Sequence, residues 1–281
     1  MTDRSEPRET DRRSPPLRLD WGQWGRATLP YVLPPLVALV AVGAVWELYI
    51  EISNESKFVL PRASSSFDAL FSDPGRYAEN GLSTLWVSLA GLALGSGVAF
   101  VFAIFMAHSQ NLERALLPVA IMVKVTPIVA LAPLFVIWFG FGWQPKVAIA
   151  ALIAYFPVLI NAIAGLRDVD PRTLDFLRSL HASPLEVFRL LRAPSALPFL
   201  FAALKISATL ALIGAVVAEF FSPQQSGLGA IINIEQRNVQ LDEVFAAIFV
   251  LTLIGVMMNT AIVIVERLTL SWHRTSISVR Q

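Results

Sequence analysis

The chain of 281 residues contains no cysteine and few charged residues. Without cysteine it can form neither a disulfide framework nor a thiolate metal site. Charged residues make up 15% of the chain, whereas soluble domains average about 25%. Lys and Arg number 22 against 21 Asp and Glu, so the net charge gives no argument for nucleic-acid binding. Apolar residues make up 55% of the chain, so the next question is whether they form runs long enough to cross a membrane.

The charges are also unevenly distributed. Eleven of the 43 fall in residues 1–29, which leaves 32 for the other 252 residues. Residues 1–26 are polar and rich in Arg, Glu and Pro, and they lack the short apolar core and cleavage site of a signal peptide. We therefore expect a disordered or amphipathic N-terminal tail at 1–26.

Six apolar runs are long enough to cross a lipid bilayer. A spanning helix needs about 20 mainly apolar residues, because lipid offers no partner for backbone N–H and C=O groups. The runs lie at 27–46, 85–106, 116–139, 147–166, 198–218 and 244–265. The pattern predicts an all-α polytopic membrane protein whose six transmembrane helices form a domain at 27–265, within the lipid bilayer.

The Lys and Arg residues outside the runs predict the orientation. The two tails, with the loops on the same side, hold 15 of them, and the opposite loops hold five. The side richer in Lys and Arg is normally the cytoplasm. We therefore expect cytoplasmic N- and C-termini, with residues 266–281 as the C-terminal tail.

Some residues inside the runs depart from a plain helical bundle. Proline breaks helix hydrogen bonding, and lipid tolerates this where protein or a water-filled cavity covers the break. The pathway or gating candidates are Lys124, Thr126, Pro127 and Glu219. For Lys124 the alternative is a structural ion pair. For Glu219 the alternatives to gating are a loop contact and an interfacial carboxylate.

Two further features concern helix packing and a charge near a span end. Gly91 and Gly95 lie four residues apart, which allows close helix contact either within one subunit or between two. Lys205 lies two turns into the fifth run, and we expect its ammonium group to snorkel to the interface.

The charged loop at 167–197 carries two helix-start signals. Asp170-Pro171 is an N-cap followed by proline, which predicts a short helix that ends at about Leu180. Ser183-Pro-Leu-Glu186 is a capping box that starts a second helix. We expect Pro194 and Pro198 to end that helix before the fifth span.

The second loop helix places three apolar side chains at three-residue spacing. They are Leu185, Phe188 and Leu191, and in a cytoplasmic loop no lipid covers them. Such an exposed apolar surface normally binds another protein. A loop folded back onto its own bundle is the alternative.

In this loop the sequence resembles the permease subunits of bacterial ATP-binding-cassette (ABC) importers. The family signature is E-A-A, three residues, G, nine residues, I-x-L-P. It falls here on Asp175-Phe176-Leu177, on His181 and on residues 191–194. Family-like pieces also occur at 165–171, 180–183, 215–219 and 227–229. His181 replaces the turn glycine, which adopts a left-handed conformation at less cost than histidine.

The resemblance implies a type I ABC-importer permease fold in the inner (plasma) membrane of a bacterium. It implies that the loop helices dock on a separate ATPase subunit, present in two copies, whose closure rocks a permease pair between inward-open and outward-open states. An extracytoplasmic solute-binding protein would deliver the solute. The implied ATPase-coupling residues are Asp175, His181, Ala182, Ser183, Leu185, Phe188, Arg189 and Pro194.

The sequence contains no nucleotide-binding, zinc-protease or hydrolase motif of the forms G-x-x-x-x-G-K-[ST], H-E-x-x-H and G-x-S-x-G. We therefore expect no catalytic residue, metal or cofactor, and ATP hydrolysis by the separate subunit. Because six helices line only half of a pathway, we expect a permease homodimer, and pairing with a different partner permease is the alternative.

The substrate follows from the resemblance alone. The runs Lys124-Val-Thr-Pro127 and Asp175 to Leu180 are more similar to permeases for riboflavin or a thiamine pyrimidine precursor. Sulfonates, taurine and nitrate are the alternative within the same branch of the family. An ATP-independent secondary transporter is the alternative class. It would need ion-coupling groups near the middle of the membrane, and Lys124 is the only charged residue that the sequence places there.

Overall fold

The computed structural model describes residues 34, 37, 38, 40–52, 60–222 and 224–270, and every regular element there is helical. Residues 40–52 form α1, which belongs to a separate unit, Met1–Asn54. The other helices belong to the unit Glu55–Gln281. They are α2 (Ala63–Ser72), α3 (Pro74–His108), α4 (Gln110–Val125), α5 (Ile128–Phe139), α6 (Gln144–Arg167), α7 (Pro171–Ser179), α8 (Pro184–Val187), α9 (Ala193–Phe220), α10 (Leu228–Arg237) and α11 (Leu241–Thr269).

Four of the described helices are long and apolar enough to cross a membrane. They are Pro74–His108, Gln144–Arg167, the continuous helix Pro184–Phe220 and Leu241–Thr269, and they contain the second, fourth, fifth and sixth predicted runs. The bent pair α4 and α5 makes a fifth span if it is taken as one. Most of the first predicted run, at 27–46, and both terminal tails lie outside the described residues.

The third predicted run, 116–139, is two helices rather than one. α4 and α5 meet at an angle of 97°. The break falls at Thr126-Pro127, where Thr126 has an extended backbone with φ −66° and ψ 129°. Proline disfavours the helical conformation of the residue before it and cannot donate a backbone hydrogen bond. The one transmembrane helix expected there is therefore a bent pair of helices, which counts as one span only if the pair is taken together.

The expected helix end before the fifth span is also wrong. A π-helical turn, Phe188–Arg192, joins α8 to α9, and the Ala193 N–H bonds to the Phe188 carbonyl. The wider turn holds one extra residue, so the helix continues past Pro194, which lies in the first turn of α9 and lacks the N–H that would donate there. Pro198 lies inside α9 and cannot donate a helix hydrogen bond, which spanning helices tolerate where neighbouring helices cover the break.

The core of the second unit is built from α3, α6 and α9. Gly91 and Gly95 of α3 pack directly on Ala150 and Ala151 of α6, with no room for a Cβ atom. The small residues therefore serve packing within the chain. Ser207 of α9 donates to the Ala154 carbonyl at 2.9 Å, which ties α9 to α6.

Lys205 takes part in an ion pair between two helices. Its Nζ lies 2.6 Å from Glu266 Oε2, so the ion pair joins α9 to α11. Glu266, near the end of α11, thus supplies a counter-charge from a distant part of the sequence, and snorkelling of Lys205 stays a prediction.

Candidate functional site

The loop between α6 and α9 forms a helical hairpin, whose first arm is α7 and whose second arm is α8 with the π turn Phe188–Arg192. The Asp170 carboxylate accepts hydrogen bonds from the Thr173 hydroxyl at 2.9 Å and the Arg172 N–H at 3.1 Å. These donors hold the pKa of Asp170 below its ordinary value, because they favour the charged carboxylate. α7 ends at Ser179, one residue before the predicted end.

The capping box of α8 is confirmed. Ser183 Oγ accepts from the Glu186 N–H at 3.3 Å, and the Ser183 N–H donates to Glu186 Oε2 at 2.7 Å. Each of these bonds satisfies a backbone donor that the helix itself leaves unpaired. The hairpin is thus ordered by its own caps.

His181 forms the turn between the two helices in a left-handed conformation, with φ +57°. Its N–H bonds to the Arg178 carbonyl at 2.9 Å, and the Ala182 N–H bonds to the Leu177 carbonyl at 3.1 Å. The turn that the family glycine would favour is therefore kept, at the steric cost of a side chain in that region.

We expect His181→Gly to stabilise the hairpin by about 1 kcal/mol, because glycine adopts the left-handed conformation without that cost. Hydrogen exchange of the amides at 174–187 should slow in the variant. His181→Ala, which keeps a Cβ atom, is the control and should bring no such gain. Equal exchange rates in the His181→Gly variant and the wild type would show that the left-handed backbone of His181 is not strained.

Four large apolar side chains of the hairpin are exposed. They are Phe176 and Leu180 at 62% each, Leu185 at 56% and Leu190 at 67%. Of the predicted docking face only Leu185 is among them. Phe188 packs against a buried cluster of the helix bundle, and Leu191 is half-buried. The π turn adds a residue to the helix and so changes which side chains face outward.

The other predicted coupling residues lie on the hairpin or, for Pro194, directly after it in α9. Asp175 is exposed, and its carboxylate lies 3.5 Å from Arg178 of the same helix, a surface pair that contributes little stability. Arg189 is exposed, whereas Ala182 and Pro194 are half-buried. Phe176 and Leu190 were not predicted as contact residues, although Phe176 occupies a signature position where the family has alanine.

The pathway candidates fall into two separate places. Lys124, Thr126 and Pro127 lie at the bend between α4 and α5. The Lys124 Nζ sits 4.4 Å from the centre of the Phe156 ring, a cation–π distance, and is not in an ion pair with any described carboxylate. Thr126 Oγ1 donates to the Met122 carbonyl at 2.8 Å.

A cavity of about 430 Å³ lies between α3, α4, α5 and α6, next to this bend. Apolar and aromatic side chains line it, among them Phe102, Val119, Phe135 and Tyr155. Such a lining offers no convergent polar groups with which to select a polar solute.

Glu219 lies in the second place, at the end of α9, and is 1% exposed. Its Oε2 accepts from the Gly229 N–H at 2.8 Å, and the Thr84 hydroxyl lies 2.9 Å from its Oε1. The Thr84 oxygen in turn accepts from the Leu228 N–H at 2.9 Å. The carboxylate thus binds the N-terminus of α10, where free N–H groups and the helix dipole favour negative charge. This loop contact replaces the interfacial position among the alternatives.

Two further contacts hold the loop before α10. Lys146 is 3% exposed, and its Nζ donates to the Ser226 hydroxyl and carbonyl at 2.9 and 3.0 Å. The Gly227 N–H donates to Asn80 Oδ1 at 2.7 Å. Gly227 has φ +105°, and a Cβ atom there would overlap the Glu219 carboxyl group. We call Asn80, Thr84, Lys146, Glu219 and residues 226–229 the carboxylate latch.

The other end of α10 is held by charge. Arg76 of α3 forms ion pairs with Glu235 of α10 and Glu243 of α11. Asn238 Nδ2 donates to Glu235 Oε2 at 3.1 Å. Sequence reasoning missed this cluster and the roles of Thr84 and Lys146. For the latch, the signal available in the sequence was the family-like spacing of Glu219 and Gly227-Leu-Gly229.

The chain is similar in sequence to known transport proteins. A family profile described as binding-protein-dependent transport system inner membrane component matches residues 95–270. The riboflavin transport system permease protein RibX of Chloroflexus aurantiacus is 34% identical over 255 residues, covering 89% of this chain and 92% of that protein. A putative aliphatic sulfonates transport permease protein, SsuC of Bacillus subtilis, is 29% identical over 235 residues, covering 83% and 84%.

Among solved structures, a chain of the MetNI methionine ABC transporter in an inward-facing conformation superposes with a TM-score of 0.60 at 15% identity. The match covers 68% of this chain and 95% of that one, and it establishes the fold. The family profile and the relatives establish the role: a membrane permease for small solutes that works with a solute-binding protein, while a separate subunit hydrolyses ATP. The chain belongs to the binding-protein-dependent transport system inner membrane components, the permease subunits of ABC importers.

Proposed function

We propose that this permease imports a vitamin or a vitamin precursor, either riboflavin or a thiamine pyrimidine precursor, across a bacterial inner membrane. It acts as a homodimer of six-span chains with cytoplasmic termini. Two ATPase copies bind its hairpins from the cytoplasm, and an extracytoplasmic binding protein delivers the solute.

The observation that carries the coupling role is the exposed apolar surface of the hairpin, Phe176, Leu180, Leu185 and Leu190. Both hairpin helices have satisfied N-caps, so the surface is presented by an ordered element. In the proposed orientation the hairpin lies in the cytoplasm, where no lipid would cover these ordered apolar side chains, and such surfaces are typical of protein binding. The coupling set proposed from the sequence, Asp175, His181, Ala182, Ser183, Leu185, Phe188, Arg189 and Pro194, lies within or beside this hairpin.

The substrate proposal has separate support. The riboflavin permease is more similar to this chain than the sulfonate permease, at 34% against 29% identity, and the match covers more of both chains. The cavity near Lys124 has an apolar and aromatic lining, which suits passage of a flat ring better than retention of a small anion.

We expect ATP-dependent uptake of riboflavin or a thiamine pyrimidine precursor into proteoliposomes that contain this permease with its ATPase and binding protein. Titration of the isolated binding protein with riboflavin, a formylaminopyrimidine, taurine, an alkanesulfonate and nitrate should give its tightest Kd for one of the first two. Tightest binding of a sulfonate or nitrate would overturn the substrate assignment while leaving the permease role intact. Uptake by the permease alone, driven by an ion gradient, would overturn the coupling to ATP.

A further inference from the structure

The place where the hairpin leaves α6 contains a polar junction of three helices. Arg167 is the last residue of α6, and its guanidinium lies 2.7 Å from the Glu113 carboxylate in the first turn of α4. The same guanidinium donates to the Met106 carbonyl at 2.9 Å. That carbonyl is in the last turn of α3, where the helix supplies no N–H partner. Arg167 therefore joins the start of the hairpin to the end of α3 and the head of α4.

The exit of the hairpin reaches the same place by apolar contact. Phe188 packs against the buried cluster that includes Met106 and Leu166. Its ring centre lies 6.4 Å from that of His108, the last residue of α3. The turn between α3 and α4 is thus contacted by both ends of the hairpin, and displacement of the hairpin must act on it.

The helices beyond that turn are packed more loosely than the core. In the fully described helices α4 and α5, only Ala120 and Ala132 are buried. By contrast, α3 and α6 are in direct backbone contact at Gly91 and Gly95. Helices that bury few side chains move at lower cost than close-packed ones. α4 also leads directly to the 97° bend at Thr126-Pro127.

We propose that the Arg167–Glu113 ion pair is the joint that transmits hairpin displacement to α4 and on to the bend. Arg167 and Glu113 are positioning residues for coupled transport, and they touch neither ATP nor solute. The inference rests on the proposed docking of the hairpin on the ATPase.

The test uses the full complex of permease, ATPase and binding protein in proteoliposomes. Arg167→Gln and Glu113→Gln should each bind the ATPase normally and keep basal ATP hydrolysis. The stimulation of hydrolysis by the loaded binding protein should fall at least fivefold. The double variant should be no worse than either single one, because both changes remove the same interaction. Arg167→Lys keeps the charge and should retain most of the stimulation.

The chain offers a matched control. Lys205 and Glu266 form an ion pair at 2.6 Å with side-chain exposures of 33% and 23%, close to the 37% and 22% of Arg167 and Glu113. It joins α9 to α11, whereas the Arg167–Glu113 pair joins α6 to α4. Lys205→Gln and Glu266→Gln should therefore leave the stimulation ratio unchanged. An equal loss of stimulation in the variants of both ion pairs would mean that such pairs only stabilise the helix bundle. That result would overturn the proposal.

A distance measurement provides a second readout. Because the chain lacks cysteine, spin labels can be placed at Arg172→Cys in α7 and Ile137→Cys in α5, both exposed. ATP should change the distance between the labels in the complex, and Arg167→Gln should remove most of that change. If the ATP-dependent change in distance is undiminished in Arg167→Gln, the proposed role of the Arg167–Glu113 ion pair is wrong. Failure of the unmutated chain to bind the ATPase would instead overturn the proposed docking.

Discussion

Leu185→Asp should abolish co-purification of the ATPase subunit while the permease still inserts and folds. Leu185 is 56% exposed at the start of α8, so a carboxylate there costs the free permease little. In a docked interface the same carboxylate would be buried without a partner, and the loss of binding free energy should be about 3 kcal/mol, or ~100-fold in Kd. Detergent-solubilised pull-down and ATPase activity measure the result.

Two variants make this experiment specific. Leu185→Met keeps an apolar side chain of similar volume and should bind the ATPase as well as the wild type. Phe188→Asp places the charge on a half-buried side chain that packs against the bundle, so it should reduce the yield of folded permease as well as binding. Full retention of the ATPase by Leu185→Asp would show that the hairpin surface is not the docking site.

Glu219→Ala should give the largest loss of stability in the carboxylate latch. The change leaves the buried Gly229 N–H without its acceptor and removes one partner of Thr84. Buried polar groups without partners cost about 1–3 kcal/mol each, so the expected loss is about 3 kcal/mol. Thermal unfolding in detergent, followed by size-exclusion chromatography, checks it.

Glu219→Gln separates hydrogen bonding from charge. The amide oxygen can still accept from the Gly229 N–H, so stability should fall less than in Glu219→Ala. If the latch serves structure alone, transport by Glu219→Gln should fall in proportion to the amount of folded permease. Lower transport by an equal amount of folded Glu219→Gln permease would assign the charge a gating role.

Gly227→Ala tests the same latch from the opposite side. The new Cβ atom would meet the Glu219 carboxyl group at a backbone φ of +105°, a conformation that side chains disfavour by about 1–3 kcal/mol. Gly97→Ala in α3 is the matched control, because nothing lies within 4 Å of its Cβ position. Gly227→Ala should unfold at a lower temperature than Gly97→Ala, and equal unfolding temperatures would contradict the latch.

Local features of the hairpin were predictable from the sequence. Asp170-Pro171 and the box from Ser183 to Glu186 each act within one helical turn, so their residue types and spacing suffice to indicate the helix starts. The same holds for the apolar runs inside α3, α6, α9 and α11, since membrane-length helices need no partner to satisfy their backbone. The prediction that the helix ends at Pro194 was wrong, because the sequence does not distinguish a helix end from a π turn that continues the helix.

Contacts between distant residues were beyond such reasoning. Glu219 meets Thr84 across 135 positions, and Arg76 meets Glu235 and Glu243 across 159 and 167 positions. Each of these residues has several roles open to it in the sequence. Its partner is decided by how whole helices pack.

The membrane class, the capped helices of the hairpin and the resemblance to importer permeases were all predictable from the chain, because they depend on composition and on spacing within a few residues. Three features required the folded structure: Leu190 is exposed while Phe188 and Leu191 are half-buried, α4 and α5 meet at a sharp bend, and Glu219 is buried in the latch. The physical reason is that burial and pairing of side chains depend on which helix faces meet. Those faces are brought together by residues far apart in the chain.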